Sequence, residues 1–433
     1  MKRHFFLIVT GLMIFLLPLS GQSQLSLSLE QARKHALEYN KTLKSAGYAV
    51  TKSQMALREA IANGLPQVSA SMDYSNALGA KISIRFAENM PASEIDIKPQ
   101  SNMYVNVNQL IFSGNYIVGV QMAKLSRELS KLNQEKSTLE VIAQVTDAYH
   151  MAVISTELQS LLGQNLKNLK ELYEKTNALA RAGLIEQTDV DQLSVQVSSL
   201  ENALSSAGRQ SELAHNLLRL HLGVDMETSL VLTDKLPFLM QDTYSEQMVL
   251  KQLALEDQID YRMLTQQEHL TGKNVNMQRA NALPNLAAFY RYTYKLLKPD
   301  FDMTPANMVG LQLNIPLFSS GVRTYQTQQA RLDLKTIQNQ KDLLSDQLRL
   351  QDKQLRYNLS TALDAYHNQQ KSVEVSRRVY QHLKLKYEQG LISGLDLISA
   401  DNNYVRAETD YISAMMEVLN ARVQLEKLYG HIQ

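Results

Sequence analysis

The chain has 433 residues, with 44 Lys and Arg against 43 Asp and Glu, and no cysteine. So even a balance leaves no basic footprint for nucleic acid, and the absent thiols exclude disulfides, thiol catalysis, Cys-ligated metal and lipidation of an N-terminal cysteine. None of the nine histidines falls in a metal spacing such as His-Glu-x-x-His, and no P-loop, dinucleotide glycine fingerprint or Gly-x-Ser-x-Gly elbow occurs. No catalytic constellation, metal or cofactor is therefore expected, and the chain reads as a non-enzyme.

Lys2 and Arg3 precede an apolar run from Phe5 to Leu19, followed by Ser20-Gly21-Gln22-Ser23. This is the make-up of a secretory signal peptide, expected over 1–23. No later run is apolar for 18 residues, so no transmembrane helix is expected. The mature chain should be periplasmic, secreted or a β-barrel of an outer membrane.

The next pattern is helical over Leu29–Asn63 and stops at Leu65-Pro66, because proline cannot continue a helix. Alternation follows: Val68, Ala70, Met72 and Tyr74 on one side of Gln67–Tyr74, then Met103, Val105 and Val107 on one side of Met103–Asn108. After Ser113-Gly114 a very long helical stretch runs to about Ala180. A Gly183-Leu184-Ile185 turn leads to a return helix over Thr188–Leu222. The order then recurs: a helical stretch over Gln247–Asn281, Leu283-Pro284, alternating Asn285–Lys295 and Val309–Ile315, a long helix from Val322 to about Glu388, a Gly390-Leu391-Ile392 turn, and a return helix over Leu395–Tyr429.

Fixed offsets make this a tandem repeat. Ala62-Asn63-Gly64-Leu65-Pro66 returns as Ala280-Asn281-Ala282-Leu283-Pro284, an offset of 218. Beyond the strands the offset is 207, relating Gly183, Asp189, Ala214 and Gly223 to Gly390, Asp396, Ala421 and Gly430. A match of Asp147–His150 with Asp364–His367 would need 217 and is taken as coincidence. The copies are placed at 24–223 and 247–433, joined by a linker at 224–246 containing Pro237. Gly114 to Gly183 and Gly321 to Gly390 each span 69 residues, roughly 100 Å of helix at ~1.5 Å per residue. A heptad seam runs through Leu355, Leu359, Ala362, Tyr366, Gln369, Val373, Ser376, Tyr380, Leu383 and Tyr387.

Period-2 alternation suits a barrel wall between lipid and water, and equally a half-buried sheet in a soluble domain. Counting separates them in part. Four strands cannot close a membrane barrel alone, since single-chain barrels begin at about eight, and an open edge in lipid leaves backbone groups unsatisfied. Strands in a membrane would need several chains sharing one barrel, with Val68, Val105, Val107, Leu286, Leu311 and Leu313 facing lipid.

Leu65-Pro66 and Leu283-Pro284, Asn108-Gln109-Leu110-Ile111-Phe112-Ser113-Gly114, Asn314-Ile315-Pro316-Leu317-Phe318, and the turns Arg181–Ile185 and Tyr387–Ile392 form an ordered, twice-occurring set. With it the chain resembles the TolC family of outer-membrane channels over nearly its whole mature length. The resemblance implies a mainly α fold with a small membrane β-barrel, built as a homotrimer with a twelve-stranded barrel and a long periplasmic α-helical barrel. Asn76–Ser101 and Lys298–Ala306 would be extracellular loops. The implied function is a passive exit duct for tripartite efflux or type I secretion, with a periplasmic adaptor and an inner-membrane pump or exporter as partners. Tips at Gly183, Leu184, Ile185, Gly390, Leu391 and Ile392 would meet the adaptor, and Asp189, Tyr387 and Asp396 match a periplasmic gate. Ile392 and Ser399 stand where better-known members carry arginine and a second acid.

A local explanation competes at the same residues. Asp189 with Gln192, and Ser393 with Asp396, read as helix capping boxes, and Gly183 and Gly390 as helix C-terminal glycines. At the level of function, a periplasmic adaptor or a coiled-coil structural protein remains the alternative.

Overall fold

Residues 24–85, 91–240, 248–297 and 304–432 are described by a computed structural model of the chain. The expected signal peptide, parts of both expected loops and the end of the expected linker lie outside them. The chain is mostly helical. It divides into two compact units: one drawn from 1–40, 142–245 and 361–420, the other from 41–141, 246–360 and 421–433.

In the first unit a short strand β1 (Leu25–Leu27) leads to α1 (Leu29–Tyr39), which Ser28 and Gln31 begin with a reciprocal capping box. The single helix expected over Leu29–Asn63 is in fact two. Asn40 adopts extended backbone (ψ 129°) and is buried, its side-chain amide donating to the His221 carbonyl at 2.7 Å. That bond holds the residue out of the helix, and α2 (Lys41–Ala62) starts afresh in the other unit.

Two long helices contribute to both units: α3 (Gly114–Arg181) and, later, α7 (Val322–Glu388). No proline stands between Pro99 and Pro237 or after Pro316, so nothing in the sequence interrupts them. Each is followed by a return helix, α4 (Gln187–Leu222) and α8 (Gly394–Leu428). In the first unit Leu162, Leu166 and Leu169 of α3 bury against Leu193, Leu200 and Ala207 of α4 and Ile398 of α8. The 4-3 and 7-residue spacings put each set on one helical stripe, and each buried leucine contributes about 2 kcal/mol. All ten seam positions of α7 are buried or half-buried.

Gly223 ends α4 at φ 75°, and a Cβ there would lie 2.5 Å from the Tyr39 carbonyl, so only glycine fits. The expected linker is not plain loop. Its β6 (Leu230–Leu232) pairs in parallel with β1, and α5 (Leu236–Leu239) carries Pro237 at its start. The buried Tyr149 hydroxyl clasps this pair, lying within hydrogen-bond distance, 3.1 Å, of both the Leu27 carbonyl and the Asp234 carboxylate.

The second unit holds a four-stranded antiparallel sheet, order β2-β5-β7-β8, made of β2 (Gln67–Ser75), β5 (Gln100–Ser113), β7 (Asn285–Leu297) and β8 (Asn307–Asn314). All four expected strands form, each longer than its alternation suggested, β8 also shifted to start two residues earlier and end one earlier. The expected loop between the first two carries a further hairpin, β3 (Lys81–Ile84) and β4 (Ser93–Asp96). The helix before β7, α6, covers only Ile259–Ala280. Within its expected first dozen residues, Leu255–Asp257 form a 3-10 turn in place of continuous helix. The buried Gln258 then caps the true start, its side chain accepting from Tyr261 N at 2.8 Å.

Candidate functional site

The strand registers assign every sheet residue to a face. Val68 pairs with Val107, which pairs with Tyr290, which pairs with Val309. Neighbouring rows on the same side are Ala70, Val105 and Tyr292, then Met72, Met103 and Tyr294, with Leu286–Leu313 and Ala288–Leu311 toward the helices. All six positions expected to face lipid, Val68, Val105, Val107, Leu286, Leu311 and Leu313, fall on this one face. It is open: Val68, Met72, Val309, Leu311 and Leu313 each leave more than half their surface exposed.

The opposite face is mainly polar. Beside the apolar Leu110, Phe289 and Met308 it presents Ser69, Ser71, Asp73, Asn102, Asn106, Arg291 and Gln312. Arg291 Nε donates to Asn106 at 2.9 Å, and its guanidinium lies over the Tyr104 ring. The outer edges of β2 and β8 have no partner strand among the described residues.

At the two helical turns the backbone takes the same path. Gly183 and Gly390 have φ 73° and 72°. Gly183 N donates to Ala180 O and Leu184 N to Leu179 O; Gly390 N donates to Tyr387 O and Leu391 N to Lys386 O. These paired bonds are Schellman motifs, so the C-terminal-glycine reading holds for both. Each motif leaves its leucine in solvent, Leu184 at 71% and Leu391 at 67% exposure, while Ile185 and Ile392 are half-buried.

The starts of the return helices differ. Asp396 N donates to Ser393 Oγ at 3.2 Å and Ser393 N donates back to Asp396 Oδ2 at 3.3 Å, the expected capping box, with Ser393 Oγ also donating to Asp396 Oδ2 at 2.8 Å. The equivalent box at Asp189 and Gln192 does not form. The helix begins one turn earlier, with Glu186 as an N-cap whose side chain makes no capping bond and instead accepts from Thr188 Oγ1 at 3.1 Å, and Asp189 falls inside the first turn. Its carboxyl instead packs on Gly394, where an added Cβ would sit 3.3 Å from Asp189 Cγ. Within the chain the Tyr387 hydroxyl does not reach Asp189; it shares a 2.9 Å hydrogen bond with the fully buried Thr176 of α3.

Sequence reasoning missed the cluster beyond that bond. Arg377 Nε donates to Tyr404 at 3.2 Å, its guanidinium lies 3.8 Å from the buried Glu408, and Asn165 donates to Glu408 at 3.3 Å. Tyr380 stacks on Tyr404. Asp401 is almost wholly buried, and loss of hydration raises its carboxyl pKa to about 6. Burial likewise raises the Tyr380 hydroxyl to about 12. Tyr380 was legible only as a seam residue; its partners come from distant parts of the chain, and no local pattern marks them.

The sheet thus has one apolar and one mainly polar face, and no helix among the described residues is long and apolar enough to cross a membrane. Comparison with known proteins supplies the class. The model of the outer membrane efflux protein family matches residues 32–224 and 250–431, and the chain belongs to that family. It is an outer-membrane efflux channel, of a family of ducts, which sets aside the adaptor and coiled-coil alternatives. The chain is similar to the outer membrane efflux protein BepC of Brucella suis, 22% identical over 421 residues, covering 93% of this chain and 87% of that one. Its fold is similar to the CmeC outer membrane channel of Campylobacter jejuni (TM-score 0.74, 18% identity, 93% of this chain and 85% of that one). It is similar too to the outer membrane protein VceC of Vibrio cholerae (TM-score 0.73, 16% identity, 94% and 97%).

Proposed function

We propose that three copies of the chain close one twelve-stranded barrel in the outer membrane, each giving the four strands β2, β5, β7 and β8. The observation that carries this is a sheet with one continuous apolar face and two edges unpaired among the described residues. Lipid accepts the face but not the edges, whose backbone donors and acceptors would each cost several kcal/mol there. The β8 edge of one copy against the β2 edge of the next removes both. Val68, Val105, Val107, Leu286, Leu311 and Leu313 then face lipid, and Asp73, Asn106 and Arg291 line the water-filled lumen.

In this reading each chain is two tandem copies of one unit, 24–223 and 247–433, and each copy gives one helical hairpin to the periplasmic tunnel. The exposed Leu184 and Leu391, beside Ile185 and Ile392 at Gly183 and Gly390, are the contacts for a periplasmic adaptor. An inner-membrane pump or exporter supplies the energy, in a tripartite efflux or type I secretion assembly. Tyr387, with Asp189 and Asp396, forms the resting closure at the tips. The experiment is membrane extraction. The wild type should require detergent for release and run as three chains, whereas Leu313→Asp should lose membrane assembly. Normal insertion of Leu313→Asp would refute the lipid-facing assignment.

A further inference from the structure

The hairpin β3–β4 leaves the far end of the sheet, between β2 and β5, and its two sides differ. Ile82 pairs directly with Ile95, Ile84 lies on the same side, and Ile97 N donates to Ala80 O at 2.9 Å, which continues that row. The other side carries Lys81, Ser83, Glu94 and Asp96, with Lys81 3.1 Å from Glu94. Ile82 and Ile95 are about half exposed, at 51% and 48%. A two-stranded hairpin is marginal in water without a hydrophobic face packed on something. Among the described residues nothing of this chain covers the isoleucine side.

The connection to β2 points the same way. Ala80 N donates to Ala77 O at 3.0 Å, closing a tight turn whose central residues are Leu78 (φ 52°) and Gly79 (φ 82°). Left-handed backbone at a leucine is strained, and asparagine or glycine would fill that turn without cost. The leucine is nevertheless there, with its side chain 91% exposed. The turn thus sets a further exposed apolar side chain beside a hairpin already bearing three exposed isoleucines.

We infer that this isoleucine face is an interaction surface for the same hairpin region of neighbouring copies of this chain, forming an apolar cluster at the outer end of the duct. The occupant follows from position. The hairpin is tied by five residues to β2, an edge strand whose outer side has no partner strand among the described residues. Whatever strand completes β2 brings a second copy beside the hairpin. This rests on the shared-barrel reading above.

The chain has no cysteine of its own, so Ile82→Cys and Ile95→Cys each place one thiol per chain. The test treats the full-length protein in outer-membrane vesicles with a short bis-maleimide. The expected result is that most chains of both variants become covalent dimers, while Ser83→Cys, on the charged side, gives few. A fluorescent label on the same cysteines should be little affected by nitroxide quenchers carried on lipid chains. Particle mass separates the two ways of failing. If the wild type is not three chains, the shared barrel itself is wrong. Trimers in which neither Ile82→Cys nor Ile95→Cys cross-links, or in which both labels are quenched by lipid, would overturn the inference and assign the face to the bilayer.

Discussion

The two helical turns make the same bend and begin the next helix differently. Both long helices end in a Schellman motif on a left-handed glycine with the next leucine exposed. Beyond that, α8 starts on a closed capping box of Ser393 and Asp396, whereas α4 starts on Glu186 with no side-chain cap. Asp396 is therefore occupied at its own helix end, and Asp189, at the matching offset of 207, is spent on a contact with Gly394. The turns share a backbone because glycine dictates it, and they differ where side chains decide. Of the two acids, Asp189 is the better placed to act between hairpins.

The largest expected effect lies further along α8, where Asp401 stands at the offset that puts Ser194 in α4. Its folded pKa of about 6 exceeds the ordinary 3.8. The stability it contributes is fully present below the ordinary value and is lost as pH rises through about 6. Up to about 3 kcal/mol is involved. Thermal melts of the detergent-solubilised channel should show greater stability near pH ~5 than near pH ~7.5. Asp401→Asn should flatten that difference, and an unchanged slope would remove Asp401 as its source.

Next, Tyr387→Phe leaves the buried Thr176 hydroxyl without its cross-hairpin partner, at a cost of about 1–3 kcal/mol. If this bond helps hold the tips shut, the variant should conduct more in planar bilayers while retaining its trimer mass; wild-type conductance would confine the bond to stability. Gly183→Ala and Gly390→Ala should each cost about 1–2 kcal/mol and by similar amounts, because in neither place would the new methyl group meet any atom within 4 Å. Unequal costs would show that the turns are not equivalent. Smallest is the capping contrast: Ser393→Ala should lose about 1 kcal/mol, and Glu186→Ala almost nothing, read from the same melts.

Much of this architecture is legible in the sequence because it is punctuated. Leu65-Pro66 and Leu283-Pro284 stop helices, Gly183 and Gly390 turn them, and period-2 runs from Val68 to Leu313 mark the strands. The long helices match their expected limits within a residue or so, since no proline interrupts them. Features set by distant partners stay hidden. The break at Asn40 depends on a carbonyl 181 residues away, at His221, and the Tyr387 bond on Thr176, 211 residues away. The hairpin β3–β4 was hidden too, its short strands lying within a stretch assigned whole to loop. The likeness of Asp147–His150 to Asp364–His367 does not extend to role either: Tyr149 clasps the β1–β6 pair, while Tyr366 stacks on Tyr411.

The most direct test of the central claim is single-channel recording of the detergent-purified protein in a planar bilayer, with particle mass measured on the same sample. Three chains sharing one barrel predict discrete conductance steps from a particle of three-chain mass, small where the tips are shut and larger for Tyr387→Phe. A protein that remains in water as single chains and never inserts would contradict it.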